Sequence, residues 1–386
     1  MKVLQFGKFY PPVFGGIENV MYEITTGLNF EGVSCDVLCS NDKLEYSEEI
    51  IDSYKIYRTK SYGKYFSTSI TPQLIEKLRA IQNEYDIITV HFPDPMAALA
   101  IFLARPKAKL VIYWHSDIIK QEYILKLYKP LQDWVIKRAD LIIGATENHI
   151  LGSDKSNLFK NKFKIIPYPF NTEILKNCID DKLYENLKSD FKNKKIIFSM
   201  GRLIYYKGFK YLIEASKNLS DDYIILIGGK GVLYDELQAQ IDNANLNDKV
   251  YLLGSIPHNQ LGTYYKFCDI FCLPSTHRSE MFGVVQLEAM SFAKPIVSTI
   301  LEKSGVCNVN IDNVTGVCVP SEDSKSLSDA FINILNDDAI YADYSKNALN
   351  RVNEIYNKKI VINNLIAIYK KLIKESLWQI YFYFFW

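Results

Sequence analysis

Residues 270–299 read IFCLPSTHRSEMFGVVQLEAMSFAKPIVST. Four apolar residues, Ile270 to Leu273, have the length of a short strand, and Pro274 stops them. The stretch 281–291 reads as a helix, and 295–298 opens a second apolar run. A strand without polar alternation is covered on both faces. A helix between two such strands makes them parallel.

Working outward, the same unit recurs. Apolar runs at 196–200, 223–227 and 250–253 precede it. In the first half, runs at 3–6, 33–39, 87–90, 110–114, 141–144 and 164–167 alternate with helix-like stretches at 16–28, 72–83 and 121–139. This is the pattern of α/β, doubly wound parallel-sheet (Rossmann-like) domains. At roughly 150 residues per domain, a chain of 386 residues has room for two. Pro167-Tyr168-Pro169 breaks the series, and a polar stretch follows before the second set of strands. The expected division is 1–170, 171–354, and a final segment 355–386. In that segment a helix near 355–373 crosses back to the first domain. The two domains are expected to face a central cleft, with ligands at the carboxyl ends of the strands.

Composition narrows the function classes. Apolar residues are 48% and charged residues 23%, which excludes a disordered chain. The formal net charge of +1 gives no reason to expect nucleic acid as a partner. The 27 Tyr and 21 Phe supply a large core. Seven Cys cannot all pair. Cys35 and Cys39, like Cys268 and Cys272, are four apart in apolar runs, without zinc-site spacing. Reduced buried thiols, and so a reducing compartment, are expected. The start MKVLQFGKFYPP lacks the features of a signal peptide, and no run approaches 18 apolar residues. The end, LWQIYFYFFW (377–386), is too short to span a membrane. It could lie on a membrane surface, pack on the body, or be an altered terminus.

Candidate chemistry follows the strands. After 196–200 come Gly201, Arg202, Lys207 and Gly208. A guanidinium fork and an ammonium five residues apart can grip one polyphosphate from two sides. In 270–299, the amides of Phe282, Gly283 and Val284 would open the helix toward an anion. Glu288, one turn beyond Val284, and Glu280, just before the helix, can each accept from vicinal hydroxyls. Gly228-Gly229-Lys230-Gly231 lacks both phosphate-loop spacings and reads as turn and packing glycines. In the first half, Gly15 and Gly16 open a helix after the run 3–6 and present bare amides. His91 and His115 end strands. Either could bond a sugar hydroxyl or assist proton transfer, and His115 ranks first. No Asp-x-Asp occurs, which disfavours a metal held through paired carboxylates and a diphosphate. Lys120, Lys126, Lys129, Lys137 and Arg138 mix with Tyr123, Leu127, Tyr128 and Trp134 in one segment. That is either an amphipathic surface helix or a dock for an anionic membrane.

Gly15-Gly16, Gly201-Arg202 with Lys207-Gly208, and Glu280 spaced from Glu288 within 278–299 together resemble retaining glycosyltransferases of family 4 with the GT-B fold. The resemblance runs from Val3 to about Lys374. It implies a first domain for the acceptor and a second for a nucleoside-diphosphate sugar. Glu288 would hold the ribose hydroxyls and Glu280 the transferred sugar. Arg202 and Lys207 would neutralise the diphosphate, helped by the amides near Gly283, and Gly15 and Gly16 would close over the phosphates. His115 would serve the sugar or acceptor side. No metal or other cofactor is implied, and the anomeric configuration is retained by same-face attack. The opening FGKFYPPVFGGIENVM and the segment WHSDIIKQ are similar to bacterial enzymes of O-antigen or other surface-polysaccharide synthesis. That likeness points to mannose from GDP-mannose and an undecaprenyl-diphosphate-linked glycan acceptor. It places the protein in the cytoplasm, peripheral on the cytoplasmic face of the inner membrane. Galactosyl, glucosyl or N-acetylhexosaminyl transfer from a UDP-sugar is the alternative. Outside this class stand a sugar-nucleotide epimerase, which would need no acceptor, and a non-catalytic glycan- or nucleotide-binding module. A module of that kind would be expected to have lost a paired glutamate or cation. No dinucleotide fingerprint follows the run 3–6, which argues against a dehydrogenase.

Overall fold

The computed structural model describes residues 1–13, 15–65, 68–118, 122–159 and 161–384, with side chains outside 122–127 and 376–384. The chain forms two compact units. One is Met1–Pro169 with Lys358–Trp386, and the other is Phe170–Asn357. The sequence placed the divisions at 170/171 and 354/355. The first lies one residue earlier, and the second lies three later because residues Val352–Tyr356 form a wide helical turn that stays with the second unit. Tyr356 accepts there from the amide of Phe170.

Among the described residues the first unit holds ten strands: β1 (Lys2–Phe6), β2 (Ser34–Ser40), β3 (Ser47–Ile51), β4 (Tyr54–Thr59), β5 (Lys64–Tyr65), β6 (Thr68–Ser69), β7 (Ile87–Phe92), β8 (Lys109–Trp114), β9 (Leu141–Gly144) and β10 (Phe163–Ile165). Eight make one sheet in the order β10-β9-β8-β7-β1-β2-β4-β3, and β5 pairs with β6 separately. All pairs in the large sheet are parallel except β3 with β4. β7 is buried at every residue, as expected of a strand covered on both faces. The sequence did not resolve β3 and β4. Edge strand SEEII carries two acids, and YKIYRT alternates charge with apolar residues.

The helix Gly16–Phe30 buries Val20, Met21, Ile24 and Leu28. The final helix, Lys358–Phe384, packs on it. Lys358 Nζ reaches Glu23 at 2.6 Å and Thr26 Oγ1 at 2.8 Å. A Cβ on Gly27 would stand 2.5 Å from Ile362 Cγ1, so the glycine sets how closely the helices approach. Tyr369 Oη bonds Thr89 Oγ1 at 2.7 Å, anchoring this helix in the first unit. The aromatic tail, residues 377–386, lies outside the described side chains.

The second unit is one parallel six-stranded sheet: β11 (Lys195–Met200), β12 (Tyr223–Gly228), β13 (Val250–Gly254), β14 (Ile270–Leu273), β15 (Ile296–Ile300) and β16 (Gly316–Pro320). The order is β13-β12-β11-β14-β15-β16. The chain winds outward from β11 in one direction, then returns to place β14 on its other side. Such a reversal of strand order, at the carboxyl end of the sheet, is where ligands bind in doubly wound domains. Among the described residues, no helix is long and apolar enough to cross a membrane.

Candidate active site at the switch point of the second sheet

β11 runs into Gly201 and Arg202, then a single tight turn, Tyr205–Lys207. Gly208 ends that turn at φ 68°. Its left-handed conformation favours glycine, and a Cβ would run into the carbonyl oxygen of Pro274. The close approach joins the loop after β11 to the loop after β14, and the Thr276 amide donates to Tyr206 O at 2.8 Å. Lys207 is thereby folded inward and is 9% exposed. Gly201 makes room for it, since a Cβ there would stand 3.2 Å from Lys207 Cε.

Lys207 Nζ lies 2.5 Å from Glu280 Oε2. Ser275 Oγ donates to the same oxygen at 3.2 Å. Arg202 is exposed, and its Nη2 donates to Tyr206 Oη at 3.1 Å. The sequence expected a guanidinium fork and an ammonium gripping one polyphosphate from two sides. The structure makes them unequal: one nearly buried and paired with a carboxylate, one in solvent. The reason is Gly208, whose turn carries Lys207 under the loop while Arg202 precedes it.

The helix expected over 281–291 begins at Val285 and ends at Ser291. Gly283 has φ 71°, outside the helical region, and delays the start. The buried amide of Gln286 pins this turn by donating to Phe282 O at 3.0 Å and Val306 O at 3.4 Å. Ser304 Oγ donates to Glu280 O at 2.5 Å, and the Gly305 amide donates to Met281 O at 2.8 Å. Phe282 packs edge-on against Tyr356. Among the described residues, no group accepts from the amides of Gly283 and Val284. Because the helix starts at Val285, they belong to the turn before it rather than to its first turn.

Glu288 is half-buried, and Tyr265 Oη donates to its Oε2 at 2.5 Å. Burial pushes its carboxyl above the usual range. The Tyr265 hydroxyl and the charge of Lys207 oppose that rise without cancelling it. The unit thus brings together Lys207, Glu280, Ser275 and the amides after Met281. Glu288 stands near enough to feel the lysine. Such a set can hold a diphosphate and accept from hydroxyls.

In the first unit, Gly15 caps the helix Gly16–Phe30 without a side-chain bond to its amides. The Glu18 carboxylate stands against Gly15, so an anion there meets a like charge. His91 and His115 are buried, at 1% and 4% exposure. They form a chain from Gln5 Oε1 to His91 Nε2 (2.8 Å), from His91 Nδ1 to His115 Nε2 (2.9 Å), and from His115 Nδ1 to Tyr168 Oη (2.8 Å). Burial lowers the pKa of His91 to about 3 and that of His115 well below its ordinary value. The sequence expected His115 to face a ligand. The structure engages both of its ring nitrogens inside the unit.

Two family models divide this chain between them. "Glycosyltransferase Family 4" matches residues 14–150, and "Glycosyl transferases group 1" matches residues 184–351. The chain is 33% identical over 357 residues to a Campylobacter jejuni N-acetylgalactosamine-N,N'-diacetylbacillosaminyl-diphospho-undecaprenol 4-alpha-N-acetylgalactosaminyltransferase, covering 90% of this chain and 94% of that one. The chain is a GT-B glycosyltransferase. This glycosyltransferase is also 28% identical over 377 residues to the O-antigen chain mannosyltransferase C of Escherichia coli, covering 97% and 100% of the two chains. A solved Anabaena protein, Alr3699/HepE in complex with UDP, shares its fold at TM-score 0.76 and 20% identity, covering 96% and 100%.

Other sequence candidates in the glycosyltransferase fall elsewhere. Gly229 and Gly231 pack against Gly201 and Leu203, and Lys230 O accepts from the Leu203 amide at 2.9 Å. These glycines serve the neighbouring loop, as turn and packing residues do. In the segment of mixed basic and aromatic residues, the helix Glu122–Arg138 turns Tyr128 and Trp134 toward the core. Trp134 stands edge-on to Phe102, and Arg138 pairs with Asp140 at 3.1 Å. Lys120 and the side chains of Tyr123, Lys126 and Leu127 lie outside the described residues. Sequence reasoning missed Ser275, Ser304 and Tyr265. Ser275 had a signal, its place just after β14, whereas the other two reach the site only through tertiary packing.

Proposed function

We propose that this glycosyltransferase transfers mannose from GDP-mannose to an undecaprenyl-diphosphate-linked glycan, with retention, in the synthesis of O-antigen or a related surface polysaccharide. The observation that carries donor binding is the convergence of Lys207, Glu280 and Glu288 at the reversal of the second sheet. The choice of mannose and of this polysaccharide rests on the end-to-end likeness to the E. coli mannosyltransferase. The lipid-linked acceptor draws on the C. jejuni relative, whose name specifies a diphospho-undecaprenol substrate.

In this reading Glu288 accepts from the ribose hydroxyls and Glu280 from the transferred sugar. Lys207, Arg202 and the amides of Phe282, Gly283 and Val284 face the diphosphate. The diphosphate competes with Glu280 for Lys207, so donor binding redistributes an existing ion pair. The bond from the anomeric carbon to the diphosphate oxygen breaks, and the acceptor oxygen bonds that carbon on the same face. The acceptor proton passes to the leaving diphosphate. Negative charge grows on the diphosphate in the transition state, where a fixed ammonium and fixed amides stabilise it most. Gly15 and Gly16 offer uncapped amides to an anionic group of a substrate only once the Glu18 carboxylate swings away. His115 serves a sugar hydroxyl only by releasing Tyr168. We place the work at the cytoplasmic face of the inner membrane, as a peripheral protein. No metal or other cofactor enters this scheme.

The second reading keeps the chemistry and changes the donor to a UDP-sugar. The C. jejuni relative transfers N-acetylgalactosamine, and the Anabaena structure holds UDP. A donor panel decides between them. The purified protein is offered GDP-mannose and the common UDP-sugars, with and without membrane lipid extract, and nucleoside diphosphate release is followed. Release from GDP-mannose that rises with extract supports the proposal. Release from a UDP-sugar alone replaces the donor. An isomeric nucleotide sugar formed without acceptor overturns transfer in favour of epimerisation.

A further inference from the structure

Tyr265 lies on the helix His258–Phe267, 23 residues before the glutamate it touches. Its side chain is fully buried. The ring stands edge-on to Phe198 at 5.2 Å, tilted to Phe271 at 5.6 Å and stacked with Phe292 at 6.1 Å. Three aromatic neighbours from three elements leave the ring little freedom, so its hydroxyl points to one place. That place is Glu288 Oε2, 2.5 Å away. A buried phenol needs a partner, and a backbone carbonyl would serve for packing alone. Here the partner is a carboxylate at the edge of the candidate site. The bond takes one lone pair of one oxygen and leaves Oε1 for other donors.

We infer that Tyr265 is a positioning residue for donor recognition: its hydroxyl fixes the Glu288 carboxylate in the orientation that accepts the ribose diol of the nucleotide. The inference rests on the assignment of Glu288 to the ribose. A carboxylate held by a rigid donor binds a diol without first losing rotamer freedom, and a bond to a charged acceptor is the strong kind. Tyr265 touches no substrate and acts only through Glu288.

The test uses the full chain with GDP and UDP as probes, each compared with its 2′,3′-dideoxy form by titration calorimetry. Tyr265→Phe removes the hydroxyl and keeps the ring in its cage. Binding of the better ribonucleotide is expected to weaken about tenfold, the scale of one charge-assisted hydrogen bond. Binding of its dideoxy form is expected to stay unchanged, so the preference for ribose falls by the same factor. Phe198→Leu, which loosens the cage and leaves the hydroxyl in place, lowers the melting temperature but keeps that preference. A Tyr265→Phe protein with the parent's preference for ribose overturns the inference. Glu288→Gln separates the two ideas. If it abolishes the preference while Tyr265→Phe does not, the positioning role alone is lost. If it leaves the preference intact, or the parent binds neither nucleotide, the ribose assignment fails and the inference falls with it.

Discussion

Lys207 Nζ and Glu280 Oε2 lie 2.5 Å apart although 73 positions separate the two residues (280 − 207). Each leaves a different strand, β11 or β14, and those strands are neighbours only because the sheet order reverses between them. The pair is nearly buried, so removing either partner strands a charge in a poorly solvated place.

Lys207→Ala is expected to lower kcat/KM for the donor at least about tenfold, or roughly 1.4 kcal/mol of transition-state stabilisation. Lys207→Ala and Glu280→Gln in one chain should lose less than the sum of the single losses, because the partners are in contact. Steady-state kinetics of the four proteins checks both statements. Unchanged turnover in folded Lys207→Ala would remove Lys207 from the site.

Gly208→Ala should destabilise the protein by more than about 1 kcal/mol, since φ 68° disfavours a side chain and Pro274 O occupies its space. It should also impair activity, because the turn that seats Lys207 must shift. Urea unfolding and donor kinetics on one preparation test the coupled losses.

Glu288 contributes a pH signature to stability. Its folded carboxyl lies above the ordinary range, so ionising it costs more in the folded chain than in the unfolded one. Stability from this group is therefore full below the unfolded carboxyl value and declines as pH rises through the folded one. Glu288→Gln should equal or exceed the parent in melting temperature at pH 7, with the difference vanishing near pH 4. The same variant should bind donor more weakly. Melting curves from pH 4 to 8 that run parallel for the two proteins would contradict this.

The two central histidines of the first unit should stay neutral across the working range. Both values are depressed by burial, to about 3 for His91. Folding therefore gains stability from them above the unfolded histidine value. That gain is lost as pH falls below it, when the unfolded chain takes up protons first. Imidazole proton shifts of His91 and His115 that do not move between pH 8 and 5 would agree. His115→Asn should flatten part of the acid-side loss of stability.

Transfer should proceed at the parent rate in excess chelator, because Lys207 and Arg202 supply the cationic charge that a metal would otherwise bring to the diphosphate. A rate that collapses with chelator and returns with added magnesium would contradict it.

Much of the fold was legible in the sequence. Strands such as Leu141–Gly144 and Ile270–Leu273 announce themselves because a strand covered on both faces must be apolar throughout. Positions after strands flagged Arg202, Lys207 and Glu280, and a carboxylate one helical turn beyond Val284 flagged Glu288. The helix start was misplaced by four residues because the backbone of Gly283 obeys the buried contacts of Gln286 and Leu273. The edge strand β3 and its neighbour β4 were missed because charged residues interrupt both runs, and local patterning near an exposed edge does not separate strand from loop.

The sequence by itself determined the α/β class, the two-part organisation and the residue types available for the chemistry. Those depend on local periodicity and on which residues follow each apolar run. Only the tertiary structure decided that Lys207 meets Glu280, that Arg202 faces solvent, that His115 has both nitrogens engaged, and that Tyr265 holds Glu288. These are contacts between residues far apart in the chain. They are fixed by strand order, by one left-handed glycine and by the packing of buried rings, none of which leaves a periodic mark on the sequence.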